Sequence, residues 1–172
     1  LQPVSCDSQK VAKEVLGFVA DRLLIWLKEK GLRHDVVDAA VSHRSHDPYG
    51  AFQSATSLQE AVQRPDWLAT LQSYSRCGRI TKDLESLPLQ PERYQEPSVA
   101  ALYTALEGVG KVGEVSELVT ALESLRPRVE AFFDDVLVND PDLAVRSARQ
   151  ALVQKVVSLA QGVADLSRLE GY

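Results

Sequence analysis

Methionine is absent from the 172 residues, the initiator included, so the sequence reads as a processed or excised piece of a longer protein. Cysteine is scarce. Cys6 and Cys77 stand far apart, and neither has a second cysteine or a histidine at metal-ligand spacing, which argues against a zinc site. Nothing points to an oxidising compartment, so both are expected as free thiols. No apolar run approaches the ~18 residues of a membrane span. The start, Leu1-Gln2-Pro3-Val4-Ser5, lacks the basic head and apolar stretch of a signal peptide. A glycine-rich phosphate loop, a nucleophile elbow and a zincin motif are all missing. His34-Asp35 is an isolated dipeptide, and His43-x-x-His46 falls in a polar stretch with no carboxylate cluster, so the histidines read as capping or surface residues rather than metal ligands.

What is present is helical periodicity. A hydrophobic content of 45% with 25% charged residues fits a globular protein of about one domain. Val11, Val15, Phe18, Val19, Leu23, Trp26 and Leu27 recur every three or four residues, the stripe of an amphipathic helix over residues 10–30 that Gly31 stops. Asp35 is placed to cap a short second helix, Val36 to Val41, with Asp38 as an acidic version of the capping box. Ser42 to Gly50 reads as a loop because Pro48 and Gly50 break it. Further helices are expected over 52–63, from Trp67 behind an Asp66 cap toward Leu84, and over 98–107, after a proline-rich loop at 86–97. Gly108, Gly110 and Gly113 mark a turn. A sixth helix is expected from Glu114 to Leu125, a seventh starting at Pro127 and carrying Val129, Phe132, Phe133 and Val136, and a last one from Asp142 to about Gln161. No strand alternation appears, so the expected fold class is all-α, a helical bundle with short loops.

The net charge of -5 is unevenly placed. Residues 101–140 carry eight acidic groups against three basic ones, and the rest of the chain is close to neutral. A nucleic-acid surface would therefore have to be local. Two places qualify. Arg76, Arg79 and Lys82 recur every three residues on one side of the fourth helix, and Arg146 and Arg149 do the same at the start of the last. Such groups are also what a solvated helix face looks like. Arg149 has a further peculiarity, because it interrupts the apolar stripe Val145, Leu152, Val156, Leu159, Val163. A guanidinium there either reaches out from the bundle edge or meets a carboxylate, for which Asp134 and Asp135 are the nearest supply. These two aspartates are adjacent, so on a helix they point about 100° apart and do not form a catalytic pair. Taken residue by residue, the sequence describes a non-catalytic helical module.

The string from Arg128 to Leu169, with F-F-D-D-V-L-V at Phe132 to Val138, Arg146 and Arg149 after an acidic turn, and V-A-D-L-S-R-L at Val163 to Leu169, resembles the end of the beta subunit of bacterial-type glycyl-tRNA synthetase. That family typically reads F-F-D-x-V-M-V-M, an acidic turn, L-R-x-N-R-L, then V-A-D-[LIF]-S-x-L. Phe18 to Val41 resembles the family's F-x-x-D-R-L and G-x-x-x-D-x-x-x-A-V-L elements, and Arg79-Ile80 with Leu84 matches its R-[IV]-x-N-I-L helix. The resemblance implies a DALR-type anticodon-binding bundle over residues 51–172, preceded at 1–50 by the tail of an adjoining helical domain. It further implies recognition of the tRNA(Gly) anticodon by the non-catalytic C-terminal part of glycine–tRNA ligase. The implied partners are tRNA(Gly), the alpha subunit or a fused alpha region, and the remainder of the beta subunit, in the bacterial cytoplasm or the plastid stroma. ATP and Mg would serve the parent enzyme and not this piece. The candidate tRNA-binding residues are Arg76, Arg79, Lys82, Arg146 and Arg149, with Tyr74 as a stacking residue. Three positions depart from the pattern. Ala148 and Lys82 stand where the family has asparagines, and Asn139 stands where it has an apolar residue. Lys82 in that place would exchange a base contact for a phosphate contact. The competing reading is a helical module that docks another protein through the acidic segment 101–140 and touches no RNA.

Overall fold

A computed structural model describes residues 7–172 and is all-helical over them. In chain order the elements are α1 (Ser8–Glu29), α2 (His34–Arg44), α3 (Pro48–Val62), α4 (Trp67–Thr81), a 3₁₀ turn at Pro91–Arg93, α5 (Pro97–Glu107), α6 (Val115–Asp135), α7 (Leu143–Ser158) and a 3₁₀ turn at Leu166–Arg168. Helix α4 packs on α7 and α6, α5 on α6, and α2 on α3. One contiguous core runs from Leu23 to Leu169, with Phe132, Leu58, Leu71, Leu118 and Leu152 among its fully buried side chains.

The helix starts follow capping chemistry. The Asp7 carboxylate accepts from the Gln9 and Lys10 amides, Asp47 from Gly50 behind Pro48, and Asp142 from Ala144 and Val145. Glu114 and Glu117 close a reciprocal capping box at the start of α6. Three expectations are corrected. Pro127 does not begin a new helix; it lies inside α6, which is unbroken from Val115 to Asp135. A proline in a helix interior costs about 3 kcal/mol. Here the apolar stripe Leu118, Leu122, Leu125, Val129, Phe132 crosses it without a phase change, and burying that stripe outweighs the lost hydrogen bond. The expected loop at 42–50 shrinks to a few residues, because α2 reaches Arg44 and Pro48 already starts α3. Asp35 is not the cap of α2 either. It lies within the first turn, buried, and receives the Arg33 Nε and Nη2 at 3.0 and 2.6 Å and the Glu170 amide at 2.9 Å. It thereby ties α2 to the C-terminal segment, whose Asp165 amide also donates to Ala39 O.

The first helix is only partly absorbed by the core. Leu23 and Leu27 are buried, whereas Val11, Val15, Leu16, Phe18, Ile25 and Trp26 stay exposed, Phe18 at 60%. Val11, Val15, Phe18 and Ile25 lie roughly 80–160° round the helix from Leu23, so α1 has a second apolar face that the bundle does not cover. The sequence stripe merged these two faces into one. Among the described residues no helix is long and apolar enough to cross a membrane. The free-thiol expectation for Cys6 lies outside the described residues; Cys77 is a buried free thiol.

Candidate nucleic-acid interface

Helices α4 and α6 run in the same direction. The Arg64 guanidinium pairs with Glu123 just before α4, Arg126 Nη1 donates to Asp66 O at its start, and Arg76 meets Phe133 two and a half turns on. The last turns of α4 and α6 therefore lie toward the same end of the bundle, and the 136–142 turn leads from there into α7. All the candidate cations of the sequence lie toward this end.

Arg76 and Arg79 lie on the exposed side of α4 and Lys82 is exposed at its C-cap, while the opposite side buries Thr70, Leu71, Tyr74, Cys77 and Gly78. None of the three cations forms an ion pair among the described residues. Arg76 instead places its Cζ 4.1 Å from the centre of the Phe133 ring, and Arg79 Nη1 donates to Ser75 Oγ at 2.5 Å. Arg146 is half-buried, and its Nε donates to Asp140 O at 2.7 Å, closing the turn that precedes α7. Leu137 and Leu143 flank this turn with 64% and 73% of their surfaces exposed.

Arg149 is brought inside, not to the surface. Its Nη2 donates to Glu96 at 2.5 Å, and its Nη1 to Asp140 at 2.9 Å and to Leu137 O at 2.8 Å. The carboxylates are Glu96, at the N-cap of α5, and Asp140 of the turn; the expected Asp134 and Asp135 take no part in these contacts. One side chain thus joins α5, the 136–142 turn and α7. The Glu96 carboxyl sits below its usual range because its own backbone amide and Arg149 both favour the charged form, against a smaller opposing effect of burial. In this conformation Arg149 is a structural clamp.

Tyr74 is also displaced from its expected role. Only 6% of it is exposed, its Oη donates to Val157 O at 3.3 Å, and its ring meets Tyr172 edge-on at 6.2 Å. A ring held this way has no free face for a base. The cause is helical phase: Tyr74 lies three residues after Leu71, on the core side, while Arg76 and Arg79 lie on the other. Ala148 is buried, and its carbonyl accepts from the Tyr94 hydroxyl, so the position where the family pattern has asparagine points into the bundle here. Asn139 is exposed and accepts from Gln150 Nε2.

Two functional partners were not legible beforehand. Phe133 follows Phe132, and neighbours on a helix diverge by about 100°. Phe132 therefore fills the core while Phe133 reaches the edge, where it meets Arg76. Glu96 precedes Pro97, and a residue just ahead of a proline-started helix is a cap position suited to an acid.

The carboxylates of the acidic segment are mostly engaged within the fold. Glu114 pairs with Arg44, Glu123 with Arg64, Glu130 with Arg126 and Asp140 with Arg149, while Glu117 caps α6. Four of the eight carboxylates are thus ion-paired and a fifth caps a helix, while Arg76, Arg79 and Lys82 have no ion-pair partner among the described residues.

Curated relatives match this chain along nearly all of it. Over 167 residues it is 34% identical to the glycine–tRNA ligase beta subunit of Moorella thermoacetica, covering 92% of this chain and 24% of the relative. It is 32% identical over 165 residues to that of Desulfatibacillum aliphaticivorans, covering 91% and 24%. It is also 32% identical over 181 residues to that of Rhodospirillum centenum, covering 95% and 25%. The chain is homologous to the glycine–tRNA ligase beta subunit. It spans about a quarter of the length of these relatives. No family model matches the chain. The resemblance to the beta subunit thus agrees with homology along nearly all of the chain, and the described residues are all-helical, as the expected fold class has it.

Proposed function

We propose that this chain is the C-terminal, tRNA-reading part of a glycine–tRNA ligase beta subunit, and that it binds the anticodon loop of tRNA(Gly) as a DALR-type bundle. In this reading residues 51–172 form that bundle and residues 1–50 end an adjoining helical unit. The glycine, ATP and Mg chemistry lies in the parent enzyme, contributed by the alpha subunit or a fused alpha region, in a bacterial cytoplasm or plastid stroma. One observation carries the RNA reading: Arg76, Arg79 and Lys82 form an exposed cationic row without an ion-pair partner among the described residues, toward the end of the bundle where α4 and α6 finish. An unstacked loop is recognised by such donors and guanidinium planes. Arg146, from the start of α7, would add a further donor. Arg149 supports it indirectly, by fixing the turn on which Arg146 leans.

The docking alternative has less support at the acidic segment, because five of its eight carboxylates are already paired or capping and only Glu107, Asp134 and Asp135 are left to offer. Filter binding or fluorescence anisotropy with tRNA(Gly) tests the choice. R79A and K82A should each weaken binding several-fold and reduce the salt slope by about one. A tRNA(Gly) transcript with an altered anticodon should bind less tightly at moderate salt. Unchanged affinity in both variants, or equal affinity for an unrelated tRNA, would sink the proposal.

A further inference from the structure

Arg76 differs from the other cations of the row. Its guanidinium lies over the Phe133 ring at 4.1 Å, whereas the other cation–ring contacts, Arg22 on Phe18 and Lys30 on Trp26, are looser at 5.3 and 5.5 Å. The ring beneath it is itself fixed. Phe133 is 8% exposed and packs edge-on against fully buried Phe132 at 5.3 Å. Asp134 and Asp135 follow Phe133 directly, yet neither captures Arg76 in an ion pair. The guanidinium is therefore positioned by the ring and not by a charge, with the residue still exposed to solvent.

A guanidinium is planar and has two faces. Here Phe133 packs against the guanidinium, and the residue as a whole stays exposed to solvent. From this geometry we propose that Arg76, backed by Phe133, is a stacking platform for one unpaired nucleobase, a ring–guanidinium–base sandwich. The proposal rests on the RNA reading above and adds to it a specific subsite and its ligand chemistry. Stacking on an arginine plane needs an exposed base face, which a loop offers and a continuous duplex does not. The side chain is ordered before the base arrives, so less rotamer freedom is lost on binding. Arg79 lies almost one turn further along α4, about 60° round from Arg76, and Lys82 is exposed at the C-cap beyond it. They are spaced to meet the phosphates next to the stacked nucleotide while Arg76 holds the base. Stacking does not read the hydrogen-bonding edge of the base, so it fixes where the loop sits rather than which base occupies it.

The test separates stacking from charge. R76K keeps the positive charge and loses the plane; F133L keeps the arginine and loses the support. The probe is the anticodon stem-loop of tRNA(Gly), intact or carrying a single abasic site at each loop position in turn. With the unaltered chain, one abasic position should weaken binding roughly tenfold. R76K should bind the intact loop about tenfold more weakly, and that abasic site should cost it almost nothing further. F133L should show the same pattern in milder form, while R79A should weaken intact and abasic loops equally. If R76K binds as the unaltered chain does while R79A and K82A are impaired, the platform is wrong and the RNA reading stands. If none of these variants changes binding, both fail. Binding of a fully paired duplex as tightly as the loop also overturns the platform.

Discussion

Replacing Arg149 with alanine removes the clamp between α5, the 136–142 turn and α7. Two contacts to carboxylates and one to a backbone carbonyl disappear together. A hydrogen bond to a charged group contributes about 1.5–3 kcal/mol when its partner cannot be rehydrated. Rehydration is available here, because the side chains of Glu96 and Asp140 are 40% and 27% exposed. Arg149 is not so placed: its own side chain is 9% exposed, and its Nε has no acceptor among the described residues, so part of its desolvation is uncompensated already. These considerations put the loss near the bottom of the range for breaking a buried pair, about 3 kcal/mol. For a chain of this length each kcal/mol moves the melting midpoint by roughly 2–4 °C, so R149A should melt roughly 6–12 °C lower by circular dichroism. R149K, with a charge but no fork, should fall between the two. A midpoint within about 2 °C of the unaltered chain would refute the clamp. An unchanged melt together with lost RNA binding would return Arg149 to the ligand side.

Asp35 and Cys77 give two further expectations. Burial pushes the Asp35 carboxyl up, but the Arg33 hydrogen bonds, the Glu170 and Val36 amides and the Arg33 charge more than offset it, and the net direction is downward. A carboxyl held lower in the folded state stabilises the fold above its unfolded value of about 3.9, and that contribution is lost as pH falls through the folded value. Urea midpoints should therefore drop from pH 7 toward pH 3. D35N should cost about 1–2 kcal/mol at neutral pH and flatten that dependence; an unaltered acid limb in D35N would contradict this. Burial pushes the Cys77 thiol up to about 12, only partly countered by Arg76. In a C6S variant, native Cys77 should react with an aromatic disulfide reagent roughly a thousandfold more slowly than an exposed thiol and at a normal rate in urea. Fast native labelling would show that α4 opens there.

Helix identity was legible in the sequence because the period is strong in every segment. Pro127 misled because a local rule was allowed to divide a stripe whose phase continues through it. Tyr74 misled because its chemistry was weighed before its helical phase: three residues from Leu71 it could only face inward. Arg149 was readable as a paired core arginine from its place in the α7 stripe. Its partners were not, since Glu96 lies 53 residues away and is delivered by tertiary packing alone. The same limit hid the Arg76–Phe133 contact, whose two halves are on different helices. Charge counting by segment located the acidic excess; only the folded arrangement showed part of it matched by Arg44, Arg64 and Arg149 from outside the segment.

The second apolar face of α1 has a consequence for how stability is distributed. Beyond Leu23 toward its start, α1 has almost no tertiary contacts to hold it, and a short helix in water is marginal without them. Its first three turns can therefore melt without disturbing the core, so one chain carries two opening free energies, a small one for residues 8–18 and the global one for the bundle. A midpoint measured by tyrosine signals from α4 and the C-terminal segment would report the second and miss the first, whereas helical circular dichroism would contain both.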